Sequence, residues 1–310
     1  MWAAGTVRAV ARVAGHCAVW AGLFAAGCVV QFMVLSGGSI RPWPIGAAFL
    51  LTIGTYLLDR VGPWPAIPDR ADVMSVPERV RFLRRRVPRV RLLAGVVLAA
   101  AVTLLLAREP LLALLVPASV LGLVVYAHTP DGWRLKDRLL VKNVAVAASM
   151  TAMAVVLVWL VDRPPPAQAA LAVIPVFLTA TAAAVLCDLD DAAADARRGT
   201  RTLPNVFGPA AAWWAAGFLI VAAAAVLVVL ACLGVMPWRA AGPMAAAPAV
   251  VVGLLLAFRP RRVRDLVDVA FPLAMLCAAM LSGSDAVLGS REDSPQVRAV
   301  PPEHQQGNHH

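Results

Sequence analysis

The feature that most constrains this chain is a series of apolar stretches, each about twenty residues long, separated by Arg-rich or Pro-rich breaks. A helix of roughly 20 apolar residues crosses the hydrocarbon core of a bilayer, and in lipid only a segment that satisfies its own backbone groups can do so. Nine such stretches are read, at 15–36, 42–58, 91–107, 110–127, 140–161, 166–187, 209–234, 242–258 and 265–283. With 60% hydrophobic and only 15% charged residues, the composition is far from that of a soluble domain of this length. The expected fold is therefore all-α, a polytopic membrane helical bundle of about nine transmembrane helices. Arg8 and Arg12 precede the first apolar run in the manner of a signal peptide, but that run is long enough to span and reads as the first helix.

A net charge of +10 would suit nucleic acid if it lay on one soluble face. Here the cations lie in loops, so membrane topology accounts for them better and no nucleic-acid partner is expected. With nine spans and the N-terminus in the cytoplasm, the inner loops collect 22 of the 28 Lys and Arg residues, and the outer loops and the tail collect six. This is the positive-inside pattern. The outer connectors are short and built on Pro, as in Arg41-Pro42-Trp43-Pro44 and Asp162-Arg163-Pro164-Pro165-Pro166, whereas the long charged loops all fall on the inner face. Chemistry is expected on that cytoplasmic side. The location implied is multi-pass in a plasma membrane of bacterial type.

The longest loop, about 59–90, is too short to hide a soluble domain, so residues 1–288 read as one membrane-embedded domain. Residues 289–310 are polar, contain Pro and lack periodicity, which predicts a disordered tail. Its His304, His309 and His310 are read as part of that tail before they are read as metal ligands. Cys17, Cys28, Cys187, Cys232 and Cys277 have no CxxC spacing and fall in or beside apolar spans, as small core residues do.

The densest chemistry comes directly after the sixth span: Cys187-Asp188-Leu189-Asp190-Asp191-Ala192-Ala193-Ala194-Asp195-Ala196-Arg197-Arg198-Gly199-Thr200-Arg201-Thr202-Leu203-Pro204. On a helix, Asp188, Asp191 and Asp195 are spaced i, i+3, i+7 and share one face, while Asp190 points elsewhere. Three like charges on one stripe beside a membrane span are costly without a cation. Oxygen donors at this density suit Mg²⁺, which commonly bridges one or two carboxylates to phosphates. The plainer reading is a solvated acidic segment paired with Arg197, Arg198 and Arg201. Gly199 and Pro204 then end the helix, and Thr202 can cap a new helical turn after them.

The pattern Asp-x-x-Asp-x-x-x-Asp-x-x-x-Gly-x-x-Thr-Leu-Pro, with Gly208 after it, resembles the second aspartate-rich motif of the UbiA superfamily of membrane prenyltransferases. The match covers about twenty residues in register, and the nine-span pattern agrees with that family over nearly the whole chain. The resemblance implies a helical bundle with a lateral opening to lipid, in which two aspartate-rich loops hold Mg²⁺ and the diphosphate of an isoprenoid. The family's first motif, Asn-x-x-x-Asp-x-x-x-Asp followed by Pro-x-Arg, is altered here. Asp59 lies at the end of the second span, next to Arg60. Asp72-Val73-Met74-Ser75-Val76-Pro77-Glu78-Arg79 keeps the family's spacing from the last Asp to Pro and Arg.

On the resemblance, Asp59, Asp69, Asp72, Asp188, Asp191 and Asp195 are the expected metal ligands. Arg60, Arg79, Lys136, Lys142, Arg201 and Tyr126 are the expected diphosphate contacts, with Asp191, Asp72 and Lys142 catalytic. Plainer readings stand beside these: Asp59 paired with Arg60, Arg79 as ordinary inner-loop charge, and Lys142 snorkelling to the headgroups. The implied reaction is Mg²⁺-dependent ionisation of an isoprenyl diphosphate, with release of pyrophosphate and transfer of the prenyl group to a lipid-soluble, aromatic acceptor. Two alternatives remain open, a UbiA-type terpene cyclase and a non-catalytic lipid-binding or transport protein.

Overall fold

A computed structural model of the chain describes residues 13–61, 77–127, 137–258 and 263–282. Among these residues there is no strand, and the helices in order are α1 (Val19–Leu35), α2 (Pro42–Val61), α3 (Pro77–Arg84), α4 (Val87–Leu106), α5 (Leu115–Ala127), α6 (Val141–Asp162), α7 (Pro166–Arg198), α8 (Leu203–Phe207), α9 (Pro209–Cys232), α10 (Trp238–Phe258) and α11 (Val263–Leu281). Six of them, α2, α4, α6, α7, α9 and α10, are long and apolar enough to cross a membrane, and shorter apolar helices occupy the places of the other three expected spans. The protein is a multi-pass integral membrane protein. The expectation of nine full spans is not confirmed: among the described residues six helices have spanning length, and the other three places hold helices of 10–17 residues. The amphipathic α3 and the earlier start of α4 at Val87 are features that the hydropathy pattern assigns to a loop.

The helix α1 is apolar on every side and sits at the centre, packed by α2, α6, α7 and α11. Around it run the contacts α6 to α7, α7 to α9, α9 to α10 and α10 to α11, and α11 closes back on α1. Phe32, Met33 and Leu35 of α1, Leu51 of α2, Leu157 of α6, Leu186 of α7 and Phe271 of α11 are fully buried in one continuous core. The outer surface is apolar as well: Trp214, Phe218 and Val221 form an exposed stripe at i, i+4, i+7 along α9, as a lipid-facing helix requires. Cys232 and Cys277 belong to this outward surface and not to the core, whereas Cys28 is buried; all five cysteines are free.

Backbone contact between α1 and α11 depends on Gly27. A Cβ there would stand 2.9 Å from Pro272 Cα, closer than packed atoms allow, so the glycine lets the first and last apolar helices touch.

The longest helix, α7, has 33 residues and a length of about 50 Å, well beyond the roughly 30 Å of a hydrocarbon core. Its first part spans, and its last turns carry Asp188, Asp190, Asp191 and Asp195 out of the apolar slab as a continuous helix. Gly199 then ends it in the left-handed conformation at φ 82°, as its position in the sequence predicts. The next turn, α8, opens at Thr202, whose N–H donates to Asn205 Oδ1 at 2.8 Å.

A carboxylate and cation cluster at one end of the bundle

The first turn of α6 packs beside the carboxylate-bearing turns of α7. From it Lys142 Nζ reaches Asp188 Oδ1 at 2.7 Å and Asp195 Oδ2 at 3.5 Å. The neighbouring Asn143 donates from Nδ2 to Asp188 Oδ2 at 2.9 Å. Asp188 is 1% exposed and Asp195 5%, so these are buried contacts. The third carboxylate of the stripe, Asp191, is bound by the Arg264 guanidinium from the start of α11. Arg264 also donates to Cys187 O at 3.3 Å. The cations whose charge acts on Asp191 are Arg264, Lys142 and Arg79.

Asp190 points away from the stripe, as the helical spacing predicts. Its Oδ1 accepts the N–H of Val263 at 3.0 Å and its Oδ2 accepts the N–H of Arg264 at 2.9 Å. One carboxylate thus satisfies two of the orphan donors at the start of α11. The segment after α7 is held to the one before α6: Thr200 Oγ1 donates to Asp137 Oδ1 at 2.7 Å and the Arg201 N–H donates to Asp137 O at 3.0 Å.

Tyr126, at the end of α5, stands within electrostatic reach of Tyr56, Asp59, Asp188 and Asp195. The ends of α2 and α5 therefore border the same polar region as the α7 stripe. Asp59 is exposed there. Arg60 donates to the carbonyls of Gly15 and His16 at 3.0 and 2.7 Å, which ties the end of α2 to the segment before α1. Arg79 lies on α3 and is buried to 8% exposure. The Arg201 side chain is exposed. Asp69, Asp72 and Lys136 lie outside the described residues, as does the tail from 289. Sequence reasoning misses Arg264 and the bond from Asp190 to α11, because Arg264 is one of four arginines between 259 and 264 and nothing marks it from its neighbours.

Among the described residues no three carboxylates converge tightly enough to enclose a metal ion by themselves. The donor chemistry nevertheless fits Mg²⁺. Asp188, Asp191 and Asp195 present hard oxygens on one stripe, the ligand type that Mg²⁺ takes. Beside them the buried Asn143 Oδ1 has no hydrogen-bond partner, an oxygen left open at the same place. A metal that keeps waters and shares ligands with a phosphate needs only one or two such carboxylates.

Fold and cluster together define a polytopic helical membrane protein with a buried, oxygen-rich acidic site at one end of its bundle. The model of the UbiA prenyltransferase family matches residues 78–278, and the chain belongs to that family. Three solved structures share the fold. A UbiA homolog from Archaeoglobus fulgidus bound to DMAPP and Mg²⁺ is 12% identical at a TM-score of 0.58, covering 88% of this chain and 99% of its own. The apo structure of a UbiA homolog from Aeropyrum pernix K1 is 16% identical at 0.57, covering 85% and 98%. A digeranylgeranylglyceryl phosphate synthase is 13% identical at 0.53, covering 88% and 97%. No curated protein matches this sequence.

Proposed function

We propose that this protein is a Mg²⁺-dependent enzyme that ionises an isoprenyl diphosphate, releases pyrophosphate and passes the prenyl group to a lipid-soluble, aromatic acceptor. The observation that carries the reading is the extension of α7, which brings Asp188, Asp191 and Asp195 on one face to one end of an apolar bundle, against Lys142 and Arg264. Membership of the UbiA prenyltransferase family supports it, as does a structural neighbour bound to DMAPP and Mg²⁺. Asp188, Asp191 and Asp195 are the ligands this chain offers on α7, with Asp59, Asp69 and Asp72 the candidates from the altered first motif. Mg²⁺ held there would neutralise the charge that builds on the departing pyrophosphate.

The chain's own groups supply the rest. Lys142 sits between two carboxylates and is placed to turn its ammonium to a diphosphate oxygen, with Arg79, Lys136, Arg60, Arg201 and Tyr126 as further contacts. The apolar core beneath the cluster excludes water from the carbocation that ionisation creates. The positive-inside charge pattern supports a cytoplasmic site.

The test is pyrophosphate release with geranyl, farnesyl and geranylgeranyl diphosphates, each with Mg²⁺ and without acceptor, beside an Asp191→Ala variant. Turnover that waits for an aromatic acceptor and vanishes in the variant is the expected result. A cyclic hydrocarbon or alcohol formed without acceptor would make the protein a terpene cyclase instead. Binding of diphosphate with no release under either condition would overturn the enzyme reading in favour of a lipid-binding or transport role.

A further inference from the structure

The junction of α7 with α11 is built more elaborately than helix packing needs. Asp190 and Asp191 are adjacent on α7 and point about 100° apart around the helix, yet both end on the same segment of α11. Asp190 takes the backbone N–H groups of Val263 and Arg264, and the Arg264 side chain returns to Asp191 and to Cys187 O. The result is a closed loop of contacts in which the carboxylate outside the stripe fixes the backbone of the arginine that fixes a carboxylate within it. Arg264 is held at its backbone N–H and at one side-chain nitrogen, so a contact from α11 bears directly on the Asp191 carboxylate.

We propose that Asp190 and Arg264 are positioning residues of the metal site: Asp190 anchors the start of α11 so that Arg264 holds Asp191 in the orientation that binds Mg²⁺. This rests on the function proposed above. Outer groups that orient a ligand are worth about 10- to 100-fold in metal affinity, and the same range is expected here. Both side-chain bonds of Arg264, to Asp191 and to Cys187 O, leave one terminal nitrogen, Nη2, whose two hydrogens lie fixed in the guanidinium plane, a geometry that a freely rotating ammonium does not impose.

The experiment measures thermal stabilisation of the purified full-length protein by Mg²⁺ with inorganic pyrophosphate, and the Mg²⁺ concentration that half-saturates it. Wild type, Asp190→Ala, Asp190→Asn and Arg264→Lys are compared. The expected result is a half-saturating Mg²⁺ concentration raised about 10-fold in Asp190→Ala and Arg264→Lys, with a smaller rise in Asp190→Asn, which keeps one acceptor. An Asp190→Ala protein that melts lower but needs the same Mg²⁺ as wild type would show a purely structural anchor and overturn the proposal. If that variant does not fold, an unchanged value in both Asp190→Asn and Arg264→Lys overturns it. Wild type that is not stabilised by Mg²⁺ and pyrophosphate would sink the diphosphate reading itself, and this inference with it.

Discussion

Lys142 is the residue on which the charge balance of the cluster turns. It spans two carboxylates seven residues, about two turns, apart on α7, one of them nearly without solvent contact. Replacing one member of a buried ion pair leaves the partner's charge uncompensated, which costs about 3–5 kcal/mol. Lys142→Met is expected to lose stability of that order in denaturant unfolding, and adding Asp188→Asn should return part of it by removing the stranded charge. A Lys142→Met protein as stable as wild type would mean that Asp188 and Asp195 rely on other partners. Asn143 is the quieter neighbour: its amide nitrogen holds Asp188 while its oxygen stays unpaired, an arrangement that makes sense beside a ligand that donates or coordinates.

At the scale of elements, the bundle depends on two features of different visibility in the sequence. The six long spans are legible because lipid leaves so few alternatives that hydropathy places them. The α7 stripe is legible because i, i+3, i+7 has one meaning on a helix. Termini and partners are not. Helix α3 and the early start of α4 are amphipathic or Arg-rich, and hydropathy is blind to them. The pairing of Asp190 and Asp191 with α11 joins residues more than seventy apart, which no local pattern encodes. Gly27 is of the same kind, an ordinary glycine in the sequence whose role emerges only when Pro272 lies against it. Gly27→Leu is expected to force α1 and α11 apart at a cost of roughly 1–3 kcal/mol, read as a lower melting temperature in detergent. Gly95→Ala, on α4 with open space around it, should be neutral or slightly stabilising, since it removes only the backbone entropy of glycine. Equal losses from the two substitutions would mean that the Gly27 contact does not carry the packing of α1 on α11.

For the whole molecule, the two ends of the bundle differ in a way that yields a prediction of how it sits in a membrane. The end that gathers the carboxylate cluster also gathers Arg60, Arg79, Lys142, Arg201 and Arg264, whereas the opposite connectors after α1, α6 and α9 are short. At that far end Arg41 pairs with Asp162 at 2.9 Å, so part of its small positive charge is cancelled locally. A membrane that retains cations on its inner side would therefore hold the cluster in the cytoplasm, where a soluble Mg²⁺ pool and a diphosphate headgroup can reach it. Single cysteines test this in a background with Cys17, Cys28, Cys187, Cys232 and Cys277 replaced. Arg239→Cys, beside the connector from α9 to α10, is expected to react with a membrane-impermeant thiol reagent in intact cells. Arg197→Cys, at the end of α7, should react only after the membrane is opened. The reverse pattern would place the site on the outer face and leave the positive-inside charge count without its usual meaning. Labelling of both in intact cells would show that α9, the helix between the two positions, does not cross as a single span.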